Sequence, residues 1–432
     1  MRTPILYAAM ALALILVGVF QSWSVTLAIL NLSIISAIMA LGVNIQWGYA
    51  GLFNVGIMGF AALGGVAAVL VATPPAAEAW AAGGARILLS GLVLVGAIGA
   101  VIFARARLTG KRRFWGTLLL VIASFAVIRL IYDPAVDAIE SVNPASTGNL
   151  GGLGLPVVLA WAVGGLFAAG AAWVVGKISL GLRSDYLAIA TLGISEIIIA
   201  VLKNEDWLTR GVKNVTGLPR PVPYEVELQQ TDWFLTLAAQ LGQAPTEFSG
   251  IVVKLLYAVL FTIVLLLLYW LSEKALNSPW GRMMRAIRDN RDAAEAMGKD
   301  VTKRHLQTFI LGSAVVGIAG AMLTTLDGQF TPGTYNPLRY TFLIWVMVIV
   351  GGSGNNAGAI LGGFVVWFLW IEVEVWGPQL ISFVTTGLSD GPLKAHLLDA
   401  GPHLRLFLMG LMLLVVLRFS PRGLIPERQT RK

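Results

Sequence analysis

Residues 250–271 read GIVVKLLYAVLFTIVLLLLYWL, twenty-two positions interrupted by a single charge, Lys254. About 20 apolar residues in a helix cross the hydrocarbon core of a bilayer, so this stretch alone predicts a membrane pass. Moving outward in both directions, the same signal recurs at 5–20, 24–43, 53–72, 86–104, 114–132, 155–176 and 186–202, then at 306–326, 339–352, 357–376 and 404–418. Three of these, 5–20, 339–352 and 404–418, are short enough to be partly embedded or re-entrant. The first is followed by Gln21-Ser22-Trp23-Ser24, a poor cleavage site for a leader peptide, so it is read as a helix. The expected fold is all-α: a single polytopic helical bundle spanning residues 1–432, with about 10–12 passes.

Composition agrees. Of 432 residues 57% are hydrophobic and 12% charged, at a mean hydropathy of +0.77. Soluble domains carry roughly twice that charged fraction. The 48 glycines suit helices that approach one another closely inside a membrane. There is no cysteine, which removes disulfides, thiolate metal sites and cysteine nucleophiles. His305, His396 and His403 form no metal-ligand pattern, and no clustered carboxylates suggest an enzyme. A phosphate-binding P-loop is also missing. Its nearest approach, Gly170 to Gly176-Lys177, has the wrong spacing, with Ile178 where a hydroxyl should bind magnesium. The chain itself therefore binds no cofactor and does not hydrolyse ATP through a P-loop. Gly352-Ser353-Gly354-Asn355-Asn356-Ala357 formally resembles a dinucleotide fingerprint. It follows an apolar run rather than a strand, so a tight turn leading into the Gly358/Gly362 packing pair is expected instead.

The net charge of +8 is explained by orientation, without nucleic acid. Arg2, the segments 105–113, 177–185 and 272–305, and the C-terminal tail fall on one side of a twelve-pass arrangement. Together they hold 21 of the 31 lysines and arginines. The loop at 133–154 on the other side has Asp133, Asp137 and Glu140 and no lysine or arginine. Basic loops stay inside, which places both termini in the cytoplasm. Two extramembrane segments remain: 203–249 outside, with an amphipathic run near Trp233-Phe234-Leu235, and 272–305 inside.

The inner segment carries the functional argument. Residues 277–305 read NSPWGRMMRAIRDNRDAAEAMGKDVTKRH. Ser278-Pro279 is a helix start, serine as cap and proline at the first helical position. Trp280, Met283, Met284 and Ile287 then share one face, with Arg282, Arg285 and Arg288 on the other. A second short helix follows, with Asp292 and Glu295 spaced as a capping box and Gly298 ending it. Such an amphipathic elbow either lies among lipid headgroups or fits into the groove of a partner protein.

This stretch resembles the cytoplasmic loop of ABC importer permeases, and most closely that of LivM-type branched-chain amino acid permeases. Their Ser-Pro-x-Gly-Arg opening corresponds to Ser278, Pro279, Gly281 and Arg282, and their Arg-Ala-Ile-Arg run to Arg285, Ala286, Ile287 and Arg288. NIQWGYAGLFNVGIMGF at 44–60, LRSDYLAIATLGISEII at 182–198 and VIVGGSGNNAGAILGG at 348–363 are similar to further signatures of that family. The resemblance implies a homologous second permease subunit, two cytoplasmic ATPases that use ATP and magnesium, an extracytoplasmic solute-binding protein, and residence in the bacterial inner membrane. It also implies that Ala293, Ala294, Glu295 and Gly298 lie against the ATPase, with Gly281, Arg282, Arg285 and Arg288 in the same coupling element.

Glu196 stands near the middle of a pass, where a carboxylate costs about 2.5–3.5 kcal/mol on insertion scales. It is either a pathway residue or one half of a hydrogen bond between helices. Asn44, Gln46 and Asn54 flank a turn around Gly48 and Gly51, and both turn chemistry and substrate contact account for them. Arg129, Lys254, Arg339, Glu372 and Glu374 lie near outer helix ends. After the Glu196 helix the chain departs from the family pattern with Arg210 and Lys213, an added basic charge that suits a more acidic solute or a different binding protein. Branched-chain amino acids are the leading substrate class, with urea, amides and other small metabolites carried by relatives as the alternative. An ion-coupled secondary transporter and a non-transporting scaffold are the rival readings.

Overall fold

In a computed structural model, residues 2–142, 148–387, 391–399 and 401–427 are described. The membrane-scale helices are α1 (Arg2–Phe20), α2 (Trp23–Val43), α3 (Ile57–Ala72), α4 (Ala85–Arg107), α5 (Gly110–Glu140), α6 (Val157–Ser179), α7 (Ser184–Asn204) and α8 (Pro245–Leu276). After α8 come the short helices α9 (Pro279–Asp289) and α10 (Arg291–Ala296). The chain then continues through α11 (Val301–Asp327), α12 (Pro337–Gly351), α13 (Asn356–Thr385), α14 (Pro392–Asp399) and α15 (Leu404–Phe419).

Among the described residues nine helices are long and apolar enough to cross a bilayer, and α14 with α15 forms a tenth candidate bent by 71°. Two of the expected passes, α3 and α12, are apolar but only 16 and 15 residues long. At 1.5 Å per residue they reach about 24 Å, less than the roughly 30 Å hydrocarbon core. Both are largely buried in protein, where a short helix needs no lipid match.

The centre is built by α11, which packs on α3, α6 and α2, while α13 packs on α2 and α12. Small residues set these distances. A Cβ at Gly64 would strike the Gly317 carbonyl, and one at Gly42 would meet the Gly312 carbonyl, so backbone lies against backbone. Lipid supplies no hydrophobic drive between helices, and such close packing supplies the contact energy instead. The Gly351–Gly358–Gly362 cluster brings α12 against α13 in the same way, as the sequence predicted for the 352–357 turn.

The opposite, acidic-loop face is capped by irregular structure. Val215–Thr216 (β1) pairs antiparallel with Gln329–Phe330 (β2), in register Val215↔Phe330. Part of the basic departure seen in the sequence is spent internally there, with Lys213 paired to Asp206 at 3.1 Å; nearby, Arg220 pairs with Glu225 at 3.0 Å. Near the same face Lys254 donates to Ser24 Oγ at 2.6 Å, Arg129 pairs with Asp133, and Arg405 pairs with Glu374.

Candidate functional site

Asn44, Gln46, Asn54 and Arg288 converge at the elbow end of the bundle, around a break between α2 and α3. At residues 44–48 the α-helix widens into a π turn. Gly51 (φ +69) then reverses the chain, which runs extended to α3. A break inside a membrane protein frees backbone groups that lipid cannot satisfy. Here side chains meet the demand. Gln46, 1% exposed, donates to the Phe309 carbonyl at 2.9 Å and to Ser313 Oγ at 3.0 Å. Its Oε1 accepts from Asn54 Nδ2 at 2.9 Å. Asn54 Oδ1 accepts from Gly56 N, and the Asn54 carbonyl accepts from Trp345 Nε1. Asn44 joins the other turn, donating to Asn356 Oδ1 at 3.0 Å and accepting from Gly354 N at 2.9 Å. Asn356 in turn donates to Glu273 Oε1 at 2.8 Å. All three candidate polar residues are buried, with their hydrogen bonds committed to holding 44–56 and 352–356 in place.

The signature around Glu196 acquires a local explanation. Thr191 Oγ1 accepts from Val55 N at 3.1 Å and Ser195 Oγ accepts from Gly59 N at 2.8 Å. α7 thus caps the first turn of α3 from outside, satisfying amides that no intrahelical carbonyl can reach. Replacing Ser195 by alanine leaves the Gly59 amide without a partner. Destabilisation of about 1–3 kcal/mol is expected, read from the shift of an SDS-unfolding midpoint in detergent. Glu196 points the other way. It is exposed on the far face of α7, and its carboxylate makes no ion pair or hydrogen bond among the described residues.

The elbow itself is packed, not laid loosely on a surface. Met284 and Ile287 are buried at 0% and 2% exposure, with Trp280 and Met283 against the same core. Ser278 is the N-cap of α9, but its hydroxyl donates to Ala275 O. Gly281 is buried where a Cβ would strike the end of α8 at Leu276. The three arginines do not share one solvent face. Arg282 is exposed and donates to Asn277 O. Arg285 lines a polar cavity of about 480 Å³ with Glu273, Asn277 and Glu427. Arg288 turns inward. Its Nη1 donates to the Gly48 carbonyl at the break in α2, its Nη2 to Glu427 at 3.1 Å, and its Nε to Asp289 at 3.0 Å. Burial disfavours the guanidinium charge, but the bonds to Glu427 and Asp289 outweigh it, leaving its pKa above the usual arginine value.

The capping of α10 differs from expectation. Asn290 is its N-cap, accepting from Ala293 N at 2.9 Å, and Glu295 pairs with Arg291 at 3.0 Å. The cap is thus Asn290, two residues before Asp292, because its side-chain oxygen is the one placed to accept from the Ala293 amide. Gly298 ends the helix in the left-handed region at φ +74, and Lys299 N returns to Ala294 O. Ala294 is buried, whereas Ala293, Glu295 and Gly298 are exposed.

Glu427 was not singled out from sequence. A signal existed: it is the one acid between Arg418 and Lys432, in a tail otherwise basic. Leu424 N and Ile425 N bond the Val350 and Gly351 carbonyls, which fixes that tail beside the 352–356 turn. Among the described residues no group of three or more His, Cys, Asp or Glu could hold a metal ion.

A broken-helix bundle with an amphipathic elbow clamped to its break defines a polytopic membrane permease. The chain belongs to the family described as "Branched-chain amino acid transport system / permease component", which its residues 25–148 and 144–417 match. It is 26% identical over 294 residues to the probable branched-chain amino acid transport permease protein LivM of Methanocaldococcus jannaschii, covering 68% of this chain and 73% of that one. Against the high-affinity branched-chain amino acid transport system permease protein LivM of Escherichia coli K12 it is 28% identical over 272 residues. That alignment covers 61% of this chain and 56% of the relative, so it spans little more than half of the E. coli protein. The xylose transport system permease protein XylH of E. coli K12 is 26% identical over 166 residues, 37% of this chain and 40% of XylH. No solved structure matches.

Proposed function

We propose that this chain is a translocating subunit of an ATP-driven importer in the bacterial inner membrane. Its solutes are branched-chain or closely related amino acids, and its termini and elbow lie in the cytoplasm. The observation that carries this reading is the Arg288 junction, which ties a solvent-facing elbow to a break in a membrane helix and to the C-terminal tail. A lone surface helix has no need of such a junction, whereas a lever requires one. The exposed patch of Ala293, Glu295 and Gly298 is then the contact for an ATPase subunit that uses ATP and magnesium. A homologous second permease and an extracytoplasmic binding protein complete the assembly. Two relatives support the pairing of unlike permeases: one named LivM and one named LivH, the latter 34% identical over 121 residues, both from M. jannaschii. Purification in mild detergent, identification of what co-purifies, and solute-stimulated ATP hydrolysis by the reconstituted complex test the assignment. Transport by the chain alone in ATP-free liposomes would replace it with a secondary transporter.

Glu196 belongs, on this reading, to the surface that faces the translocation path or the second permease. A carboxylate left in lipid costs about 2.5–3.5 kcal/mol, so in that case Glu196→Leu would stabilise the protein by that amount. A residue covered by water or a partner responds differently: stability within about 1 kcal/mol of the parent, and import reduced severalfold. Paired measurements of unfolding in bicelles and uptake in proteoliposomes separate the two outcomes.

A further inference from the structure

The α4–α5 hairpin stands apart from the rest of the bundle. Among the residues of α4 only Ser90 is buried, and in α5 only Ala135 and Ile139, at the end remote from the elbow. Beyond their contact with each other, the two helices are held mainly at that remote end, by 77–84 and 206–209. Tyr132 there bonds Trp207 and Glu205, and the Leu150 amide bonds the Trp207 carbonyl. Elsewhere both helices present leucine, valine, isoleucine and phenylalanine outward, including Leu92, Ile102, Leu119 and Phe125, each at least 60% exposed. A surface of that kind within a membrane is bathed in lipid.

The tip at the elbow side has a different chemistry. Arg105, Arg107, Lys111, Arg112 and Arg113 follow within nine residues, and no Asp or Glu occurs anywhere from 79 to 132. None of the five is in an ion pair among the described residues; Arg107 lies over the Phe103 ring at 5.1 Å. Between the helices at this tip is a groove of about 430 Å³. Arg105 and Arg113 flank it, and Val101, Phe114, Leu118 and Val121 line it. Thr117 also borders the groove, but its hydroxyl is already bonded to the Arg113 and Phe114 carbonyls. The groove is therefore a cationic mouth over an apolar trough. At 31 residues α5 is about 46 Å long, so the hairpin overreaches the hydrocarbon core and its tip stands at headgroup depth.

We propose that this groove binds an anionic phospholipid: the phosphodiester is held between the Arg105 and Arg113 guanidiniums, and one acyl chain lies along Val101, Phe114, Leu118 and Val121. Guanidinium matches phosphate oxygens in geometry as well as charge, and basic pockets between membrane helices are recognised sites for anionic headgroups. The lipid would tie to the membrane a hairpin that protein contacts hold at one end only. This inference rests on the hairpin alone and stands or falls independently of the transported solute.

The test uses the full-length chain in detergent and native mass spectrometry with added phosphatidylglycerol, cardiolipin or phosphatidylcholine. Bound anionic lipid is expected to fall at least fivefold in the Arg105→Gln/Arg113→Gln double variant. It should change less than twofold in Arg107→Gln/Lys111→Gln, which removes the same charge without touching the groove. Phosphatidylcholine should bind the parent and both variants alike. Equal losses in the two double variants would overturn the site in favour of diffuse charge attraction. Displacement of the lipid by millimolar inorganic phosphate would show a free-anion site and likewise reject the lipid. Because the chain has no cysteine, Leu118→Cys supplies a further readout in the assembled complex. Labelling by a lipophilic maleimide supports a lipid-filled groove, and protection of that thiol by a second permease subunit refutes it. Size-exclusion profiles and helical circular dichroism confirm that each variant is folded.

Discussion

Glu295→Arg is expected to abolish import while the protein still folds and inserts. α10 is six residues long and holds on to the bundle through buried Ala294, whereas Glu295 projects outward. Its ion partner is Arg291, and both side chains are about half exposed, at 47% and 48%. An exposed pair of this kind contributes about 0.3–0.5 kcal/mol, so its loss barely affects folding. On the proposed reading Glu295 lies within the ATPase contact, where reversing a charge is expected to cost several kcal/mol of binding. ATP-driven uptake should fall at least tenfold and the ATPase should no longer co-purify, with expression and helix content unchanged. Gly298→Arg is a less clean test. The space around Gly298 is open, but its φ of +74 puts a side-chain-bearing residue in the left-handed region, at about 1–2 kcal/mol of strain. Charge and strain would then act together. If transport and complex formation survive Glu295→Arg, the ATPase contact lies elsewhere.

The sequence made the bundle legible because each long helix is apolar over more residues than any soluble helix needs, as 250–271 shows. It also located the elbow, through the proline at 279 and the apolar spacing of Met284 and Ile287. Periodicity could not tell how those helices are joined. Nothing local distinguishes Thr191 and Ser195 as caps for α3, because the amides they satisfy lie 136 residues away in sequence. The same is true of Asn44, whose partners at Gly354 and Asn356 are 310 and 312 residues distant. A helix wheel puts Arg288 with Arg282 and Arg285, yet only the folded chain brings Gly48 and Glu427 to its guanidinium. For a related reason α3 is shorter than its apolar run, starting at Ile57 rather than at 53. The run 53–72 is apolar apart from Asn54, and that residue draws the first positions into the break rather than into the helix. Polar residues in this chain report long-range structure, and their sequence neighbourhood says little about their partners.

Arg288→Ala should separate ATP hydrolysis from transport, leaving the first and losing the second. Ala293, Glu295 and Gly298 remain in place, so on the proposed reading ATPase docking and turnover are expected to persist. What disappears is the bridge from α9 to the Gly48 carbonyl and to Glu427. On the proposed reading, that bridge is what carries a displacement of the elbow to the break at 44–56, and so to α2 and α3 at once, while the tail holds the 352–356 turn against the same point. Without it the elbow moves and the break does not follow. Uptake in proteoliposomes is expected to drop at least tenfold while ATP hydrolysis stays within about twofold, a ratio measured directly as solute transported per ATP consumed; tenfold corresponds to about 1.4 kcal/mol of lost coupling. Lysine at 288 should rescue only part of the loss, because one ammonium on a flexible stem cannot reproduce a planar fork shared between a carbonyl and a carboxylate. Glu427→Gln should be milder still, since the bond to Gly48 survives and a neutral amide can still accept from the guanidinium. The order Ala, then Lys, then the Glu427 variant is therefore the signature of a mechanical link. Equal proportional losses of hydrolysis and uptake in Arg288→Ala would instead make the residue part of the docking surface, and force would have to reach the break through the packed Met284–Ile287 face alone.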